Sequence, residues 1–308
     1  MKRKGIQLKS ENLKQLNEVI VQPLRQKLLN NDHVEVFLNY DKDNWELCAA
    51  ATSLKNPDLT SNEVLNSLDR LLHTILSNGQ TPCNSSFLAL AYGYTYLYQR
   101  INAIERSFRI LEYLSEQVKN NCLFVDVGCG IGGLLIALRN LHENEDFILN
   151  YRGYDIVEEV LPINQNFLSN IYPDNVVKID GDCIESIGAV QKTDIDAVIM
   201  VFSYIFSQNG INEEALNSFK DKVDALFDEL NLKEFYILYI NIHPSYYNLN
   251  YNGFIEILKK NGYEVTWQRT ESEALNNSRL TKLSNLKENL SSLQGSKVHC
   301  TVSEIKRV

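Results

Sequence analysis

Val125-Asp126-Val127-Gly128-Cys129-Gly130-Ile131-Gly132-Gly133 is the stretch on which the reading of this chain turns. An apolar run, Leu123-Phe124-Val125, leads into it, and Leu134-Leu135-Ile136-Ala137-Leu138 follows. It therefore reads as strand, tight loop and helix in succession. Glycine serves two ends in such a loop. It permits backbone angles that a side chain forbids, and it lets a ligand approach the main chain at the positive end of the helix.

The same alternation continues on the C-terminal side. Short apolar runs at 123–127, 150–154, 176–179, 197–201 and 235–240 are strands. Helical spacing occupies 133–141, 157–170 and 253–260, and it joins Leu216, Phe219, Val223, Leu226 and Leu230. Such alternation builds a parallel sheet with helices on both faces. Two further strand-like runs, 263–268 and 298–305, break it. A polar insertion between them has Leu283, Leu286, Leu290 and Leu293 at helical spacing.

On the N-terminal side, residues 1–120 read as all-helical. Leu13, Leu16, Ile20 and Leu24 share a helix face, which Pro23 is expected to end or kink. A second helical segment covers 32–54. A third opens at Thr60, where Thr60 and Glu63 have capping-box spacing, carries Leu65, Leu68, Leu72 and Ile75, and stops near Gly79. Tyr92, Tyr94, Tyr96 and Tyr98 alternate as on a strand, but Ile104, Phe108, Leu111 and Leu114 continue at helical spacing, so helix is expected. The chain thus divides into a helical region, 1–120, and an α/β domain, 121–308.

The glycines fit two spacings. Gly128, Gly130 and Gly133 make the G-x-G-x-x-G of dinucleotide-binding loops; Gly128, Gly130 and Gly132 make G-x-G-x-G, with Asp126 two residues ahead. Asp126 is unwelcome beside a pyrophosphate but suits a ligand with a cationic end. Asp155 closes the second strand in Tyr154-Asp155-Ile156, where a carboxylate accepts both hydroxyls of a ribose, and Gly181-Asp182-Cys183 follows the third. With the closing pair of strands, residues 122–308 resemble the class I S-adenosylmethionine-dependent methyltransferases. The resemblance implies a Rossmann-like, seven-stranded, mostly parallel sheet with an antiparallel terminal hairpin. It also implies S-adenosylmethionine as cofactor. Asp126 would hold its cationic amino end, Asp155 its ribose hydroxyls and Asp182 its adenine amine, with Gly128, Cys129, Gly130, Gly132, Ile156, Cys183, Phe202 and Ser203 also at the cofactor. Residues 1–120 match nothing named and are expected to form a cap over the cofactor that helps build the acceptor pocket.

Methyl transfer asks mainly for alignment, with a base where the acceptor carries a proton. After the fourth strand the chain reads Val201-Phe202-Ser203-Tyr204-Ile205-Phe206. This departs from the Asp/Asn-Pro-Pro-Tyr/Phe common in enzymes that methylate exocyclic amines of bases. Tyr204 is a candidate here. His243, at the C-terminal end of the fifth strand, is the candidate general base. Arg100, if it faces the cleft, would pair with the methionine carboxylate. Cys129 reads as a packing residue, because no His or Asp lies near in sequence to activate a thiolate.

Composition narrows the partners. The 308 residues carry 30 Lys and Arg against 39 Asp and Glu, a net charge of -9. That favours a small-molecule or protein acceptor over nucleic acid. Lys2-Arg3-Lys4, the one basic run, reads as a solvated end. Six cysteines form no C-x-x-C pair and have no His at zinc spacing, so no metal site is expected, and reduced thiols in a cytoplasmic protein fit best. Neither a signal peptide nor a membrane span is expected. Two rival functions are left open: a protein that binds S-adenosylmethionine without transferring methyl, as sensor or partner subunit, and a nicotinamide-dependent oxidoreductase.

Overall fold

Cys122–Val127 (β1) is apolar except at Asp126, and all six residues are buried. A strand buried on both faces belongs at the centre of a sheet with helices above and below. The computed structural model places it there; it describes residues 14–40, 45–76, 85–110, 122–142, 149–187, 195, 197–207, 211–241, 249–274, 279–281, 287–289 and 297–308. The other strands are Asn150–Tyr154 (β2), Val176–Asp180 (β3), Cys183–Ile187 (β4), Ala197–Ser203 (β5), Glu234–Asn241 (β6), Tyr263–Ala274 (β7), Arg279–Thr281 (β8), Lys287–Asn289 (β9) and Lys297–Arg307 (β10). Helices α1 to α10 are Gln22–Leu29, Asp32–Tyr40, Trp45–Ser53, Asn62–Leu76, Ser86–Tyr92, Tyr98–Ile110, Gly133–Leu141, Leu161–Ile171, Glu213–Glu229 and Leu249–Lys260.

The main sheet runs β3-β4-β2-β1-β5-β6-β10-β7. β2, β1, β5 and β6 are mutually parallel, and the chain leaves β1 for β2 on one side and returns to β5 on the other. The C-terminal ends of β1 and β5 therefore flank a topological switch point, where open α/β sheets bind their ligands. The closing hairpin is present: β10 lies antiparallel between β6 and β7.

The sheet has eight strands, one more than expected. The addition is β4. It doubles back from β3 through Gly181 (φ 55°) and pairs antiparallel with β2, which pushes β3 to the edge. Gly181-Asp182 is thus a hairpin turn rather than the end of a parallel strand. β4 escaped notice because Cys183-Ile184-Glu185-Ser186-Ile187 is half polar; its Glu185 is held by Arg152 of β2, which also clasps Glu229 at the end of α9.

The N-terminal helices share one hydrophobic core with the sheet. Leu24, Leu72, Phe87, Ile104 and Phe108 join Phe124, Leu135, Phe167 and Val302 in a single cluster on one face, while α9 and α10 cover the other. α6 acts as a helix of the sandwich, with Phe108 packed on Phe124 of β1. The expected boundary at residue 120 lies outside the described residues.

Three local expectations are corrected. Pro23 does not end its helix: the turn ahead of it widens into a π segment, Asn17–Val21, in which Gln22 N–H reaches Asn17 O, and the wider turn absorbs the missing proline donor. α4 is capped by Ser61, whose Oγ accepts from Val64 N–H, because Thr60 is engaged with Asp58. The 32–54 segment holds as helical, in α2 and α3. Helix holds for the tyrosine run, again with a π segment, Gly93–Leu97. Tyr94 and Tyr98 are buried, while the Tyr92 and Tyr96 rings lie 5.2 Å apart, tilted by 52°, on a half-buried face. In the insertion, β8 and β9 pair as an extended hairpin instead of a helix; Leu283, Leu286, Leu290, Leu293 and Gly79 lie outside the described residues.

Candidate cofactor site

β1 delivers Asp126 and Val127 in register with Gly153 and Tyr154 of β2 and with Val201 and Phe202 of β5. The chain then turns sharply. Gly128 and Cys129 N–H both donate to Tyr154 O, at 2.8 and 3.0 Å. Gly128, Gly130 and Gly132 have φ of 71°, 50° and 89°, whereas Gly133 starts α7 with ordinary angles. The backbone therefore needs glycine at the G-x-G-x-G positions. A Cβ on Gly130 would enter open space, and one on Gly133 would make only ordinary contact, 3.4 Å from Leu97.

The loop walls a cavity of about 400 Å³. Three carboxylates follow one another around it, from Asp126, Asp155 and Asp182. Asp126 is 3% exposed, and Tyr151 OH donates to it at 3.5 Å. Burial and the neighbouring Asp155 push its carboxyl up to about 7, against the pull of Arg100. Asp155 accepts from Gly130 N–H at 2.8 Å and Val157 N–H at 3.0 Å. Burial pushes its carboxyl up, and those two donors oppose the shift. Asp155 N–H in turn donates to Asp182 O at 2.9 Å, which fixes the hairpin turn beside it.

Arg100 faces this cavity from α6. Its guanidinium carbon lies 4.9 Å from the Tyr92 ring centre and 4.4 Å from that of Tyr204. No hydrogen bond or ion pair to it occurs among the described residues. Two aromatic faces hold a planar donor set whose N–H edges meet no acceptor among the described residues. Tyr204 achieves its place under Arg100 at φ 66°, a strained angle for a bulky residue. Burial raises its phenol far above the ordinary value, so the hydroxyl stays protonated.

The remaining expected residues divide. Cys129 lines the cavity, but its thiol is buried and burial raises its pKa well above the ordinary value, so it is a neutral packing group. Ser203 lines the cavity with its Oγ buried and without a hydrogen-bond partner among the described residues. Ile156 stands 93% exposed at the mouth. Phe202 does not reach the site. Strand alternation turns it to the opposite face, where it packs on Phe206, Phe219 and Phe254. Neither Gly132 nor Cys183 lines the cavity: Gly132 shapes the turn, and Cys183 pairs with Tyr154 across β4 and β2. His243 lies outside the described residues. Of the other histidines, His33 is buried on Leu54 O and His299 bonds Ser272.

Sequence reading missed several contributors. Gly153 leaves the room that Tyr151 OH and Cys129 Sγ fill, at 2.6 and 3.0 Å from where its Cβ would stand. Asn164 of α8 donates to Gly130 O and to Tyr151 OH, both at 3.3 Å, supporting the loop from beneath. Lys222 of α9 reaches the wall beside Asp182 and Tyr154. None sits in a motif; only the fold brings them together.

A switch point, a three-glycine loop and a row of carboxylates define a Rossmann-like α/β protein. No family model and no curated protein matches the chain. Among solved structures, a Listeria monocytogenes protein assigned provisionally to the class I S-adenosylmethionine-dependent methyltransferases is 14% identical, with 96% of this chain and 88% of that one covered and a TM-score of 0.39. The 16S rRNA methylase ArmA is 18% identical over 76% of this chain and 96% of its own, at 0.32. The plantazolicin methyltransferase BpumL, solved with S-adenosylhomocysteine, is 13% identical over 79% and 98%, at 0.33. Among the described residues no cluster could hold a metal ion, and no helix is long and apolar enough to cross a membrane.

Proposed function

We propose that this chain binds S-adenosylmethionine in the cavity around Gly130 and transfers its methyl group to a small-molecule or protein acceptor. One observation carries the reading: Arg100 and Asp126 line the same cavity, the guanidinium close enough to pull the Asp126 carboxyl towards its charged form. That pair complements an α-amino-acid zwitterion, Asp126 taking the ammonium and Arg100 the carboxylate. Asp155 then stands where a ribose follows and Asp182 where a base ends the ligand. A pyrophosphate would bring negative charge against the Asp126 carboxylate, which disfavours the dinucleotide reading.

When bound, S-adenosylmethionine supplies an activated methyl group on a sulfonium. The chain's own part is to align and exclude. The glycine loop lets the ligand lie against the main chain, and α6 closes over the methionine end and keeps water out. Ser203, at the end of β5, offers an oxygen beside that end. Tyr204 positions Arg100 instead of taking a proton. His243 is the candidate base for an acceptor that loses one. The net charge of -9 favours a small-molecule or protein acceptor.

Incubation with methyl-labelled S-adenosylmethionine and separate metabolite, protein and RNA fractions tests the reaction. Label in the metabolite or protein fraction is expected. Tight S-adenosylhomocysteine binding with no label in any fraction would instead identify a binding protein.

A further inference from the structure

We infer that Lys222 and Asp182 together read the edge of the adenine ring, which makes Lys222 the base-specificity residue of the cavity; the inference rests on the S-adenosylmethionine reading above. Lys222 projects from α9 into the cavity wall beside Tyr154 and Asp182. Its ammonium lies 3.8 Å from the centre of the Tyr154 ring and 3.4 Å from Asp182 Oδ2. Its side chain is only 20% exposed, although a lysine on a helix surface ordinarily extends into water. An ion pair of that length stabilises little, so stability alone gives no reason for the placement.

The geometry gives one. Asp155 N–H holds the backbone of Asp182, so the base-end carboxylate keeps a fixed offset from the ribose-end carboxylate. Tyr154 holds the ammonium from one side and Asp182 from another. An ammonium has three donors, and Asp182 engages one of them. Beyond Asp155 the cavity therefore ends in an acceptor and a donor side by side. Adenine presents the matching pair on its edge: an exocyclic amine that donates, next to N1, which accepts. Asp182 takes the amine and Lys222 gives to N1. Hypoxanthine reverses both groups, setting a carbonyl against the carboxylate and an N–H against the ammonium. A site built to pair such groups rejects the mismatched analogue because its own polar atoms lose their partners.

Calorimetric titration with S-adenosylhomocysteine and with S-inosylhomocysteine tests this in wild type, Lys222→Met and Lys222→Arg, each shown to be folded by its melting temperature. Wild type should prefer the adenine form by about 100-fold or more. Lys222→Met should bind the adenine form about tenfold more weakly and the inosine form as well as or better than wild type, so that discrimination shrinks. Lys222→Arg should regain most of it. If Lys222→Met does not fold, Lys222→Gln replaces it. A lysine variant that binds both ligands like wild type, or weakens both equally, overturns the inference alone. Wild type that binds neither ligand overturns the cofactor reading and this inference together.

Discussion

Asp126 combines burial with a proposed task, holding the ligand ammonium, that needs its charge. Its carboxyl titrates near 7 in the folded chain, above the ordinary carboxylate value. Folding therefore holds a proton that the unfolded chain has released, so this group costs stability as pH rises from about 4 to 7 and the cost persists above. Asp126→Asn should raise the melting temperature at pH 8 and change it little at pH 4, with scanning calorimetry as the check. The same variant should bind S-adenosylhomocysteine poorly, because the ligand ammonium loses its counter-charge. In wild type the ammonium favours the ionised form, so binding below pH 7 should release a proton and weaken with acid. Titrations in buffers of different ionisation heat count that proton; a count of zero at pH 6 would remove Asp126 from the ligand. Asp155→Ala should lose charge-assisted bonds worth about 1.5–3 kcal/mol, or roughly 10- to 100-fold in affinity. Wild-type affinity in that variant would place the ribose elsewhere.

The glycine loop and the π segment Gly93–Leu97 meet at one point. A Cβ on Gly93 would stand 2.2 Å from Ile131 Cδ1 and 3.1 Å from Ile20 Cδ1. Ile131 belongs to the loop and Ile20 to the first π segment, so three elements share this contact. Gly93→Val should overpack it, cost about 1–3 kcal/mol of stability and weaken S-adenosylhomocysteine as the loop shifts. A variant with unchanged melting temperature and affinity would show that Ile131 moves aside freely. Gly130→Val is the converse test. Open space surrounds that position, so the fold should survive apart from strain at φ 50°, while the side chain blocks the ligand. The sequence revealed the loop, Asp126 and Asp155 because each is local: a few residues, one strand end, one turn. It did not reveal β4 or Lys222, because each depends on partners far along the chain, nor the Ser61 cap, because a side chain only two residues away takes up Thr60. Glu185 of β4 pairs with Arg152, Thr60 is drawn off by Asp58, and Lys222 meets Asp182 across 40 residues of sequence.

At the scale of the molecule, the helical N-terminal region and the sheet are one packing unit, with Arg100 carried from the first to the cofactor site of the second. Hydrogen exchange with S-adenosylhomocysteine should therefore show added protection over residues 92–104 as well as over 126–133. A response confined to the loop would make the helices a mere support. One further consequence follows from the place of β10. Among the described residues it is the one sheet neighbour of β7, and it pairs with Tyr236 to Asn241 of β6, although more than 50 residues separate it from β6. Until β10 arrives, Phe235-Tyr236-Ile237-Leu238-Tyr239-Ile240 has a bare, uncharged edge of the kind that recruits other chains. A stop codon at Lys297 would thus yield a sticky, chaperone-dependent product bound for inclusion bodies, even though every residue of the glycine loop would still be present.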